Sequence, residues 1–236
     1  ATNTSSFLVA DVAEAVDKAD RVVGLHYFFH PAKNRLVEVI GHQGTSADTL
    51  RTAWAFQEQI GKTPIDSADA PGFVVNRFFV PWLNEAVRLH EEGHTIAEIE
   101  AVSKTSFGIG MGPFELMNVT GVPITLHASA SLAERLGDFY APAASLKPQV
   151  DSGEPWDLSG DVTGAGDAVI IERLWGVVYH VACQLVSEGV STPEDTDIGA
   201  RVGLRWPAGP FERFNEMGLK QAASYAQNLA KRYSLQ

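Results

Sequence analysis

Residues 21–41 read RVVGLHYFFHPAKNRLVEVIG. Val22–Phe28 and Leu36–Ile40 are rich in β-branched and aromatic residues, and the polar turn His30–Arg35 separates them. That pattern predicts two strands of a hairpin. One strand carries His26 and the other Glu38, 12 residues apart and centred on position 32. In a hairpin folded there the two side chains face each other, with Cβ atoms about 5 Å apart. A carboxylate so placed accepts from one imidazole nitrogen and leaves the other free as a base. The same pairing suits a buried structural pair, and spacing alone favours that plainer reading.

Outward from the hairpin, residues 7–20 (FLVADVAEAVDKAD) predict a short amphipathic helix. Thr45 or Ser46 can cap a helix that runs through Ile60 and stops at Gly61, with an extended piece near Thr63–Asp66. From Phe73 the character turns helical. Phe73–Glu92 is apolar on one broad face, with Pro81 as a kink site and Gly93 as a stop. Thr95-Ile-Ala-Glu98 is a capping box, and Pro113 opens a short helix after a loop at Gly108–Gly112. Val122–Leu136 and Ala168–Glu188 also predict helices, and residues 141–166, rich in Pro, Gly, Ser and Asp, predict a linker.

The second half repeats the first. At an offset of 96, Arg77 meets Arg173, Ala86 meets Ala182, Leu89 meets Leu185, Glu92 meets Glu188 and Gly93 meets Gly189. After one inserted residue, Gly112-Pro-Phe-Glu115 meets Gly209-Pro-Phe-Glu212, and Asn118 and Gly121 meet Asn215 and Gly218. Two copies of one helical module follow, at about 71–140 and 167–236.

The bulk numbers exclude some partners. Eighteen Lys and Arg against 29 Asp and Glu give a net charge of −11, which argues against nucleic acid and anionic membrane. No apolar run approaches the roughly 18 residues that span a bilayer. The single cysteine, Cys183, fits a reducing compartment, so the expected location is cytoplasmic. His90-Glu-Glu-Gly-His94 matches the HExxH zinc pattern, but Gly93 and the capping box end the helix before His94, so no metal site is expected. Gly108-Ile-Gly-Met-Gly112 has Pro113 where a dinucleotide loop needs Gly, and is read as a helix–helix loop. The run Thr2-Asn-Thr-Ser-Ser6 reads as a plain N-cap, whereas Asn76, a lone amide among apolar neighbours, suits a structural or a ligand-facing role equally.

Taken in order, ATNTSS, GLHYFFHP, LVEVIG, GKTPIDSADAPGFVVNR and GMGPFEL resemble the L-3-hydroxyacyl-CoA dehydrogenases over about residues 1–122. The second module resembles the duplicated C-terminal domain of longer members. The resemblance implies a mostly α chain with an α/β part. An incomplete Rossmann-type NAD-binding domain (1–70) would precede two all-helical modules of the 6-phosphogluconate-dehydrogenase C-terminal kind (71–140 and 167–236), joined by the linker 141–166. It implies NAD-linked hydride transfer between an L-3-hydroxyacyl-CoA and the 3-ketoacyl-CoA in fatty acid β-oxidation. His26 matches the catalytic base and Glu38 the carboxylate that orients it. Ser5 and Asn76 match polar groups holding substrate oxygens and aligning the cofactor, and Asn3 matches a residue on the nicotinamide side.

Three departures accompany the match. Phe29 stands where common members have Asn, and Glu172 stands in the second copy where the first has Asn76. The family's GxGxxG loop precedes the ATNTSS motif and is not in the sequence, so the chain is expected to be a C-terminal portion that binds NAD weakly and turns over little alone. The resemblance also suggests an intramolecular pseudo-dimer of the two modules, and fusion to or complex with an enoyl-CoA hydratase. A related dehydrogenase with a non-CoA hydroxy acid, and a non-catalytic helical assembly module, are the alternatives.

Overall fold

The structure, a computed structural model, describes residues 1–5 and 7–235. Ser6, the last residue of the polar run near the N-terminus, and Gln236 lie outside the described residues. Two compact units divide the chain. One joins Ala1–Arg77 to Ala182–Glu212; the other joins Phe78–Val181 to the residues from Arg213 onward.

The first unit is built on three strands, β1 (Gly24–Tyr27), β2 (Leu36–Gly41) and β3 (Thr63–Ala68), in that spatial order. β1 and β2 form the expected antiparallel hairpin, and its register places His26 opposite Glu38. β3 runs parallel to β2. A parallel neighbour needs a crossover, and the helix α2 (Ala47–Gln59) supplies it, with Ser46 as the N-cap accepting from Thr49 N–H at 3.2 Å. Thr2 adds a parallel bridge beside Gly24 on the other edge of β1. Val37 and Val39 pack with Val23, Leu25 and Ala53, while Ile40 packs with Val9 and Phe73. β2 is therefore apolar on both faces apart from Glu38, as a strand buried on two sides must be.

The N-terminal helix is shorter than its sequence pattern. Only α1 (Val9–Ala13) forms, followed by a 3₁₀ turn at Ala19–Arg21. Asp69 starts it, accepting from Val9 and Ala10 N–H at 2.7 Å each. Residues 14–18 are all exposed, so a longer helix would bury no further apolar face.

Helices α3 (Val75–Glu91), α4 (Ile96–Phe107), α5 (Pro113–Thr120) and α6 (Val122–Leu136) form the first helical copy. After α7 (Leu146–Ser152) the second copy runs through α8 (Asp167–Ser187), α9 (Pro193–Ile198) with a π-turn at Gly199–Gly203, α10 (Pro210–Met217) and α11 (Leu219–Tyr233). Thr95 and Thr192 cap α4 and α9 at equivalent positions. In the second unit Phe107 stacks on Trp175 at 3.8 Å between centroids, and Trp175 stacks on Tyr179 at 5.2 Å.

Two sequence expectations change here. The stretch 141–166 holds α7 and is pinned: Asn118 donates to Trp156 O at 2.9 Å and accepts from Trp156 N–H at 2.8 Å. Its polar composition hides two apolar anchors, Leu146 and Trp156, both buried. Second, α8 is long and apolar enough to cross a membrane by length and composition, with a mean hydropathy of 1.4 over 18 residues. Arg173 interrupts the apolar run in the sequence, yet it is buried in ion pairs, and 61% of that window is buried inside the protein.

Candidate active site

His26 and Glu38 meet because adjacent strands fix them in register. The His26 Nδ1–Glu38 Oε2 separation is 2.5 Å, and both residues are buried. Glu38 is in turn anchored by the start of α3. Its Oε1 accepts from Val74 N–H at 3.1 Å and Val75 N–H at 2.8 Å. These amides begin a helix and lack intrahelical partners, so a carboxylate is the favoured acceptor there by hydrogen bonding and by the helix dipole. Phe73, just before them, has a positive φ of 48° and is buried. Its ring lies 5.6 Å from the His26 ring, and the Phe28 ring lies 4.7 Å from that imidazole.

A carboxylate already accepting two backbone N–H bonds suits the tautomer in which His26 Nδ1–H donates to Glu38 and Nε2 carries the lone pair. Ser5 Oγ lies 2.9 Å from Nε2 and donates to it. Ser5 is exposed. The row Ser5–His26–Glu38 thus leads from solvent to a carboxylate with every oxygen bonded. A neutral imidazole held this way can take up a proton at Nε2 while Glu38 balances the charge.

The other two expected residues stand beside this row without joining it. Asn3 is exposed, and its Oδ1 accepts from Tyr27 N–H at 2.9 Å, which ties it to β1 next to His26. Asn76 follows Val75 in the first turn of α3, and its half-buried amide makes no hydrogen bond to another described residue. Asn3 and Ser5 lie just past the Thr2 bridge, at the end of a segment paired parallel to β1. That end of a parallel strand is where nucleotides bind in open α/β sheets, and an exposed amide and hydroxyl fit the polar nicotinamide end of NAD.

The backbone donors Val74 and Val75 and the wedge Phe73 had a faint signal, the Pro71-Gly72-Phe73 punctuation before an apolar helix. The HExxH pair does not form a site: α3 ends at Glu91, and His90 Nδ1 bonds the backbone O of His94 at 3.0 Å. In the second copy Glu172 bonds Asn228 Nδ2 at 3.2 Å on an exposed face.

Residues 1–70 match the family model described as the 3-hydroxyacyl-CoA dehydrogenase NAD binding domain. Residues 72–162 and 169–236 match the model described as the 3-hydroxyacyl-CoA dehydrogenase C-terminal domain. Among curated proteins, the chain is 33% identical to a fatty acid oxidation complex subunit alpha of Shewanella halifaxensis, over 99% of the chain and 37% of that protein. It is 32% identical to the subunit of the same name from Idiomarina loihiensis, over 98% of the chain and 37% of that protein. The chain thus spans little more than a third of the length of these relatives. Among solved structures, a 3-hydroxybutyryl-CoA dehydrogenase from Escherichia coli shares the fold, with a TM-score of 0.88 at 19% identity over 99% of this chain and 71% of that one. An (S)-3-hydroxybutyryl-CoA dehydrogenase from Ralstonia eutropha is 33% identical with a TM-score of 0.62, covering 68% of this chain and 57% of that one. On these matches, which take in nearly every residue, the chain belongs to the 3-hydroxyacyl-CoA dehydrogenase family.

Proposed function

We propose that this chain carries the proton-transfer machinery for NAD-linked interconversion of an L-3-hydroxyacyl-CoA and its 3-ketoacyl-CoA. The observation that carries the reading is the Ser5–His26–Glu38 row, with a buried dyad and a solvent-facing end. NAD, when bound, supplies the hydride acceptor or donor. In oxidation, His26 Nε2 takes the proton of the 3-hydroxyl; in reduction it returns that proton to the carbonyl oxygen. Glu38 holds the imidazole in one tautomer and offsets its positive charge. Ser5 and Asn76 hold the substrate oxygen, and Asn3 and Ser5 face the nicotinamide. A positioned acid–base group contributes roughly 10²–10⁴ in rate.

The matched ranges, 1–70, 72–162 and 169–236, support a nucleotide-binding part followed by two helical copies, the first of which takes in most of 141–166. Within a fatty acid oxidation complex, such as the relatives' name describes, a hydratase acting on a 2-enoyl-CoA would supply the 3-hydroxyacyl substrate. We also propose that the second helical copy stands in for a partner subunit. Arg77 of the first copy binds Glu188 of the second, and Arg173 of the second binds Glu92 of the first, each the other's counterpart in the repeat. Reciprocal pairing of this kind is the mark of an isologous interface.

The test is NADH consumption with acetoacetyl-CoA. His26→Gln should lower kcat at least roughly hundredfold. A His26→Gln protein that turns over like the wild type would reject the role. Turnover of a free 3-keto acid in preference to the thioester would reject the CoA substrate.

A further inference from the structure

The two helical copies part company at one place. In the first copy Ile96–Phe107 is a single α-helix closed by Gly108 in the left-handed region. At the equivalent residues the second copy ends α9 at Ile198 and continues as the π-turn Gly199–Gly203. Gly199 stands where the first copy has Val102, and Gly203 where it has Ser106. Neither glycine has a positive φ, so what each contributes is the missing side chain. A Cβ on Gly199 would lie 2.8 Å from Val75 Cγ2 and 3.2 Å from Ile65 Cδ1. A Cβ on Gly203 would lie 2.4 Å from Leu36 Cδ2.

The three residues so approached are all neighbours of Glu38. Val75 donates its N–H to Glu38 Oε1, Ile65 is the cross-strand partner of Glu38, and Leu36 lies two residues before it on β2. Asn34, buried in the hairpin turn, completes the connection. Its Nδ2 donates to Gly203 O at 2.9 Å and to Phe29 O at 3.3 Å, and its Oδ1 accepts from Leu36 N–H at 3.1 Å. One amide therefore ties the end of the His26 strand, the start of the Glu38 strand and the second copy together. π-Turns set into helices recur at functional positions, and this one is absent from the equivalent helix of the first copy.

We infer that Asn34, Gly199 and Gly203 are positioning residues, through which the second helical copy sets the geometry of the His26–Glu38 pair. The inference rests on the dehydrogenase reading for its catalytic consequence, but its structural core can be read without turnover. The proton shared by His26 Nδ1 and Glu38 Oε2 should give a far-downfield proton NMR resonance, lost in His26→Gln. In Gly203→Ala that resonance should move or broaden, kcat should fall roughly ten- to hundredfold, as a small misplacement can cause, and KM for NADH should stay within about twofold. Adding Leu36→Val, which makes room for the new methyl, should bring the resonance and kcat back toward wild type. Asn34→Asp keeps the acceptor for Leu36 but loses both donated bonds; it should act like Gly203→Ala and decides the matter if the alanine variant does not fold. Variants that unfold more easily while keeping the wild-type resonance and kcat would overturn the inference. A wild-type protein that shows the resonance but no His26-dependent turnover would instead reject the dehydrogenase reading, leaving the positioning inference to the resonance alone.

Discussion

Arg173 reaches Glu92 through a bond of 2.8 Å, and the repeat counterparts of these two residues, Arg77 and Glu188, pair in the opposite sense. The exchange is chemically symmetric but not energetically so. Arg173 also bonds Glu85, whose side chain is fully buried and receives the Tyr233 hydroxyl at 2.8 Å. Burial works against the Arg173 charge, and the hydrogen bonds and charges of Glu92 and Glu85 more than restore it, so it stays protonated. Burial likewise pushes the Tyr233 hydroxyl up. Glu188, by contrast, is 45% exposed.

Arg173→Met should therefore destabilise the chain by about 3 kcal/mol, because it leaves the buried Glu85 carboxylate with only the Tyr233 hydroxyl and the longer Arg88 pair at 3.4 Å. Arg77→Met leaves a carboxylate that can turn to water, and should cost about 1 kcal/mol or less. Urea midpoints of the two variants make the comparison. Equal losses would show that the reciprocal pairs contribute alike and that Glu85 is not the reason.

Each GPFE motif is capped by a carboxylate from the preceding helix. Glu100 accepts from Gly112, Phe114 and Glu115 N–H, at 3.1, 2.7 and 3.2 Å. Asp197, its counterpart, accepts from Phe211 and Glu212 N–H at 2.7 and 3.1 Å. Glu100→Ala leaves three amides without their partner and should cost about 1–3 kcal/mol. Glu100→Gln, which keeps an acceptor, should cost less. An alanine variant as stable as wild type would mean that water replaces the carboxylate freely.

Asp197 also gives a pH dependence with a definite sign. Burial pushes its carboxyl up to about 6, against about 3.9 when unfolded. Between those values the folded chain holds a proton that the unfolded chain does not. The stability from this group is full below about pH 4 and is lost as pH rises through about 6. Asp197→Asn removes the titration and keeps an acceptor for Phe211. Relative to wild type, the variant should gain stability between pH 4.5 and 7, on the order of 1–2 kcal/mol. Parallel stability curves for the two proteins would remove Asp197 as the cause.

The hairpin register was legible because a strand has a period of two and the turn has a centre: once residue 32 is the midpoint, His26 and Glu38 must meet. The repeat was legible because GPFE recurs. What the repeat could not show is which arginine meets which glutamate, since an offset aligns counterparts and not partners. Glu100 and Asp197 were silent for a related reason. A carboxylate that caps a helix 12 to 15 residues downstream leaves no periodic trace. Gly199 and Gly203 were visible as residues, but only the close approach of Val75 and Leu36 says why they lack side chains.

Phe73 offers a test in which the usual order of two substitutions reverses. Its backbone is left-handed, which costs a non-glycine residue roughly 1–2 kcal/mol. The strain persists because the turn aims Val74 and Val75 N–H at Glu38 and seats the ring against His26. Removing the ring from its buried site should cost about 3–5 kcal/mol in either Phe73→Ala or Phe73→Gly. Elsewhere glycine is the worse of the two by roughly 0.5–1 kcal/mol, because it frees the unfolded chain. Here glycine also relieves the strained φ, and alanine does not. Phe73→Gly should accordingly be the more stable variant by about 1 kcal/mol, measured as the difference between their urea unfolding free energies. If alanine proves the more stable, the left-handed turn is not strained in the folded chain, and the ring alone holds Phe73 in place.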